Sequence, residues 1–172
     1  MKKIYLSVVC LLISIPLIAQ LYVEPEKEVE CSVFLAKEGR GRAQQGLEIW
    51  DDYIFSCEDG GHVNIYDFKS ADPKPVAGFE LASSHPDNHV NNVCFGVETK
   101  RGASFPLLYI TNGKVGSELE WLCFVESITR RGKRFSSEIA QTIELDGSKW
   151  AEKGYVSIFG APSWLVDRER GF

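Results

Sequence analysis

What this chain lacks narrows it considerably. After the first twenty residues no stretch repeats its apolar side chains at helical spacing for any useful length, which leaves strands as the building material. It has no Gly-x-Ser-x-Gly elbow, no phosphate-cradling glycine loop and no His-Glu-x-x-His motif, so the commonest signatures of hydrolase, nucleotide and zinc-protease chemistry are missing. Its five cysteines never form a Cys-x-x-Cys pair, which removes the usual zinc and redox spacings. Positive charge is scarce too: 19 Lys and Arg face 24 Asp and Glu, a net charge of −5, and a chain of this balance argues against nucleic acid as a partner.

The N-terminus has the three parts of a secretory signal. Lys2 and Lys3 begin it, an apolar run follows from Ile4 to Ile18, and the small Ala19 precedes Gln20. Residues 1–19 are therefore expected to be a signal peptide, the run being too short for a membrane span. Their removal takes two lysines and no acids, so −5 becomes −7. The mature chain is expected in the periplasm, at the cell surface or outside the cell, with no transmembrane span. It keeps Cys31, Cys57, Cys94 and Cys123, an even number in a compartment that permits disulfides. Each lies in an apolar, strand-like run, so bridges and buried thiols stand as equal alternatives.

Residues 20–45 form an acidic lead-in with one strand at 31–36 and a loop after it. From Gly46 the pattern becomes regular. Strands are expected at 47–50, 53–57, 63–68 and 76–81, separated by Asp51-Asp52, by Asp59-Gly60-Gly61 and by a Pro-containing loop. Asp-Gly between β-branched and aromatic runs is a hairpin signal, because the tight primed turns need positive φ. A second set follows at 90–95, 107–111, 121–128 and 139–145. Two anchors align the sets: Tyr53-Ile54-Phe55-Ser56 with Leu108-Tyr109-Ile110-Thr111 at an offset of 55, and Phe79-Glu80-Leu81 with Ile143-Glu144-Leu145 at an offset of 64. The extra length is assigned to a loop around residues 129–135. A third unit opens at 163–172 with Trp164.

Four-stranded antiparallel units recurring every ~40 to 60 residues are the sequence form of β-propeller blades. With Gln45-Gly46, Gly-His-Val-Asn-Ile-Tyr-Asp at 61–67, and the strands at 89–95, 106–111 and 140–145, residues 45–172 resemble the secreted β-propeller proteins of the bacterial envelope. The resemblance is to the broad WD40-like, YVTN and six-bladed TolB-like group. It implies an all-β fold with blades at 46–82 and 89–147 and the start of a next blade at 163–172. The strand in the lead-in would be the closing strand of a missing last blade. Since propellers close with about four to eight blades, the reading implies an incomplete, truncated propeller.

Chemistry concentrates in one place. His85, Asp87, His89 and Asn91 lie between the outer strand of one unit and the inner strand of the next, which in a propeller faces the rim of the central channel. Pro86 disfavours a helix that would put both histidines on one face. The plain structural account has His89 and Asn91 bonding backbone between units; ligand contact by the four comes second, and no catalytic, metal or cofactor role is assigned. Asp59 and His62 are explained as turn residues. Arg130, Arg131, Lys133 and Arg134 surround Gly132 in an expected hairpin turn, read first as solvated and second as a site for an anionic glycan or lipid headgroup. The functional expectation is a noncatalytic module binding a protein or glycan. The alternative is a propeller hydrolase or lyase whose site lies at the channel.

Overall fold

Alternating apolar and polar residues fold into eight strands: β1 (Gln44–Trp50), β2 (Tyr53–Glu58), β3 (His62–Asp67), β4 (Ala77–Glu80), β5 (Asn92–Phe95), β6 (Leu108–Thr111), β7 (Leu122–Arg131) and β8 (Arg134–Glu144). These come from a computed structural model that describes residues 42–114, 116–145, 152–154 and 163–171, all within a unit running from Val33 to Phe172. The expected signal peptide, the strand at 31–36 and Cys31 lie outside the described residues. The chain is mostly β, and among the described residues no helix is long and apolar enough to cross a membrane.

The strands make two antiparallel meanders, β1-β2-β3-β4 and β5-β6-β7-β8, hereafter sheets A and B. Each hairpin has a local cause. Trp50 pairs with Tyr53 across the two-residue turn, where Asp51 adopts φ of 50°, a conformation that aspartate tolerates better than most residues. At the β2–β3 turn Gly61 has φ of 95°, and a Cβ there would come within 2.8 Å of the Ser84 backbone. Only glycine meets both demands.

The sheets stack face to face, with β1 against β5 and β4 against β8. Tyr53, Phe55 and Cys57 of β2 alternate toward sheet B, as do Val63 and Ile65 of β3; Val93, Phe95, Leu108, Ile110, Phe124 and Ile128 face back. Phe55 sits at the centre, fully buried, with Phe95, Phe105 and Phe135 edge-on around it at 5.0, 5.1 and 6.3 Å. Behind it Phe79, Phe135, Phe105 and Phe95 stack in sequence at 6.1, 5.9 and 6.1 Å, from the outer strands to the inner ones. Aromatic pairs of this kind contribute about 0.5 to 1.5 kcal/mol each beyond their burial. At one end of the stack the Arg130 guanidinium covers Tyr53 at 4.9 Å and Phe135 at 5.8 Å.

Two details differ from the sequence reading. The extra length of the second set is not a loop at 129–135; β7 and β8 run on to Arg131 and Arg134, which pair across Gly132 and Lys133. Their tip is polar and exposed, so burial periodicity does not reveal it as strand. The alignment offset also shifts by one. Leu108 and Ile110 face sheet A, whereas Tyr53 and Phe55 face sheet B, so an offset of 55 matches opposite faces. A one-residue slip flips a strand's faces, and Phe55 corresponds in position to Tyr109.

That correspondence is visible in the C-terminal segment. Phe95 of β5 packs edge-on against Phe55, and its N–H donates to Glu48 Oε2 at 3.2 Å. Trp164 in turn packs edge-on against Tyr109 at 5.4 Å, and its backbone N–H donates to Asn92 Oδ1 at 2.8 Å. Residues 163–171 therefore dock on sheet B through the same two kinds of contact by which β5 docks on sheet A. Arg168 ties the segment back to β1, with an ion pair to Glu48 at 3.0 Å and its guanidinium 5.0 Å from the Trp50 ring.

Cys57, Cys94 and Cys123 are free thiols. Burial pushes the Cys57 thiol far above its ordinary range, the Glu126 charge adding to the effect. If Phe55 is the keystone of the interface, Phe55→Ala should lower unfolding stability by about 3 to 5 kcal/mol in urea. Val76→Ala, at an exposed position, should change it by less than about 0.5 kcal/mol. Equal effects would contradict the packing described.

Candidate functional site

The connector from β4 to β5, residues 81–91, crosses from the outer strand of sheet A to the inner strand of sheet B and carries all four residues singled out from the sequence. A segment that turns twice in 11 residues breaks its ladder, so its backbone groups need other partners. Side chains from both sheets supply them. The fully buried Glu126 of β7 accepts the N–H of Ala82 at 2.9 Å and of Ser83 at 2.8 Å, one on each carboxylate oxygen. Glu126 reaches the connector by plain alternation along β7, on the face it shares with Phe124 and Ile128, and the ladder's bulge beside it falls on β8, where Ala140 is left unpaired.

Asn88, also fully buried, folds the connector onto itself. Its Nδ2 donates to the Ser83 carbonyl at 2.9 Å, and its Oδ1 accepts the Val90 N–H at 3.2 Å. Val90 has φ of 39°, a left-handed conformation that costs a β-branched residue on the order of 1 to 3 kcal/mol. Its complete burial offsets that strain. The Val90 carbonyl passes so near β1 that a Cβ on Gly46 would lie 3.1 Å from it. Asn112, just past β6, completes the set: Oδ1 accepts the His89 N–H at 2.9 Å while Nδ2 donates to Leu119 O at 2.7 Å.

Within this frame the four expected residues separate. His85 is exposed, and its Nδ1 accepts the Asp87 N–H at 3.1 Å, closing a local turn. Asp87 pairs with Lys114, whose hydrogen bond and charge hold the Asp87 carboxyl below the usual carboxylate range. The contact therefore contributes fully above the unfolded carboxylate pKa and is lost as pH falls through the lowered one. His89 is half-buried, its Nε2 3.1 Å from Gln45 Nε2 of β1. Asn91 gives its backbone N–H to Thr111 O at 3.0 Å.

The four side chains thus share no hydrogen bond with one another. Among the described residues no group of three or more His, Cys, Asp or Glu is gathered for a metal. His62 turns to Glu80 across the β3–β4 ladder at 3.0 Å rather than to Asp59, whose N–H bonds Ala43 O. Sequence reasoning missed Glu126, Asn88, Asn112 and Lys114. A signal for Glu126 existed: it is an acid set among Val125, Ser127 and Ile128 in a run otherwise suited to burial.

The chain matches no family model, no curated protein and no solved structure. Its functional reading rests on the geometry above and on two surface clefts. One, of about 170 Å³, lies among Glu98, Tyr109, Trp164 and Val166. The other, of about 400 Å³, is lined by Asp51, Tyr53, Ser104, Phe105, Arg130 and Gly132.

These contacts predict a graded response along the connector. Glu126→Gln leaves one N–H facing an amide donor and should cost about 1 to 3 kcal/mol, and Asn112→Ala a similar amount. His85→Ala should change stability by less than about 0.5 kcal/mol. Thermal unfolding of the three variants checks this, and a neutral Glu126→Gln would contradict the role given to its carboxylate.

Proposed function

We propose that this chain is a noncatalytic, exported binding module of β-propeller type, taking a protein or glycan ligand in the cell envelope. Sheets A and B are read as consecutive blades, and residues 163–171 as the inner edge of the next. The observation that carries the reading is the recurrence across successive units. Inner strand stacks on inner strand and outer on outer. Phe95 on Phe55 is followed by Trp164 on Tyr109, each with its N–H held by an acceptor on the preceding inner strand. A repeat that docks each unit on the last by one recipe has the logic of a propeller or other stacked array.

The chemistry of the connector favours binding over turnover. Glu126, Asn88 and Asn112, its buried polar groups, are committed to backbone N–H groups and carbonyls, and the ring of His89 faces an amide. Turnover requires an acid and a base poised on one reacting atom; here no hydrogen bond joins the side chains of His85, Asp87, His89 and Asn91, and the Asp87 carboxylate is taken up by Lys114. The exposed His85 and half-buried Asn91 side chains are left to meet a ligand where the blades join.

The test is to screen purified residues 20–172 against immobilised envelope glycans and displayed peptides. Retention of one ligand class is expected. The double variant His85→Ala/Asn91→Ala should lose about tenfold in affinity with an unchanged melting temperature. Release of reducing ends or of unsaturated sugars from a retained glycan would instead favour a hydrolase or lyase.

A further inference from the structure

At the end of the sheets away from the connector, basic side chains gather. Arg130, Arg131, Lys133 and Arg134 occupy the β7–β8 hairpin and Arg101 the β5–β6 loop, all exposed, on a chain whose net charge is −5. Among the described residues none of the five has an acid within ion-pair distance. Lys100 and Lys69, by contrast, are each paired, with Glu138 at 2.6 Å and Asp52 at 2.7 Å.

Arg130 differs from its neighbours in being held. Its guanidinium lies over Tyr53 and Phe135, its Nε donates to Gly132 O at 2.8 Å, and its backbone N–H donates to Ser104 Oγ at 2.8 Å. The two terminal nitrogens therefore keep their fork of N–H groups, already oriented, on the wall of the cleft of about 400 Å³. Clefts of roughly 300 to 1,000 Å³ accommodate small ligands. An arginine fork fixed on an aromatic floor suits a carboxylate or sulfate bidentately, with little side-chain entropy left to lose.

We propose that this cleft binds an acidic sugar, its carboxylate or sulfate on Arg130 and its hydroxyls on the rest of the lining. Asp51 shares the lining, and since a carboxylate accepts hydrogen bonds from hydroxyls, a ligand with one acid among several hydroxyls suits the cleft better than a densely charged anionic surface. The Tyr53 hydroxyl adds a further partner, and Phe105 gives the floor an apolar edge. The free basic side chains around the cleft draw such a ligand in by their field. The site is separate from the connector: β1 spans seven residues between them, a distance of roughly 20 Å at strand rise.

Calorimetric titration of the full chain with glucuronate, a sulfated disaccharide, glucose and inorganic sulfate, alongside co-sedimentation with phosphatidylglycerol vesicles, decides the matter. Glucuronate or the sulfated disaccharide should bind, and glucose should not. Arg130→Gln should weaken binding about tenfold, the scale of one charge-assisted pair, when titrated at a temperature where its own melting curve shows the variant fully folded, and Arg130→Lys should fall between. The double variant Arg131→Gln/Lys133→Gln should cost less than about threefold, since those charges act only through the field. Equal losses in the two variants would reduce the cleft to a diffuse patch and overturn the proposal. Vesicle binding without sugar binding, or no binding by any probe, would overturn it too. A connector ligand lost in His85→Ala/Asn91→Ala but kept in Arg130→Gln leaves the binding-module reading intact, so the two readings fail separately.

Discussion

Each sheet has a face that water does not tolerate, and the rest of the structure follows from covering it. A meander left alone would hold its apolar face in water, at a cost of about 25 cal/mol per Å². Stacked, the two sheets bury Phe55, Phe95, Phe105 and Phe135 together, drawn from β2, β5, the β5–β6 loop and β8. These residues lie far apart in sequence, so the core forms only once both hairpin sets are in place. Its shape fixes the rest: the β5–β6 loop must deliver Phe105, the β7–β8 hairpin must extend far enough to deliver Phe135, and Arg130 covers the end that remains.

Stacking two sheets requires a chain crossing, and a crossing leaves backbone donors without a ladder. The connector meets this cost with side chains rather than water. Glu126 reaches from sheet B to two consecutive N–H groups, Asn112 reaches to a third, and Asn88 restrains the turn from within. Of the residues that suggest chemistry when read as a string, Asp87 and His89 are engaged with Lys114 and Gln45, while the crossing itself is held by other side chains. Side chains free to meet a partner lie at its margin, and at the far end of the sheets around Arg130.

Much of the fold was legible in the sequence because strand alternation and turn chemistry are local. Asp59-Gly60-Gly61 and the β-branched runs around it announce β2 and β3, and both occur there. The polar residues Ser136, Ser137 and Glu138 concealed the first half of β8, an edge strand held by backbone pairing to β7. Face assignment was out of reach, since a period of two shows that residues alternate without showing which set points where. The site was less legible still. His89 was expected to bond backbone between units, whereas its ring meets the Gln45 side chain of β1, and Glu126 and Asn112 acquire their roles only when remote segments meet.

The central claim is that the sheets form one cooperative unit through the aromatic interface and the Glu126 clamp. Native-state hydrogen exchange measures it directly. The amides of Ala82 and Ser83 should exchange with the same opening free energy as those of Phe55 in sheet A and Phe124 in sheet B, because freeing any of them means separating the sheets. Exchange of Ala82 and Ser83 through a low-energy local opening, with sheets A and B opening at separate free energies, would contradict the account.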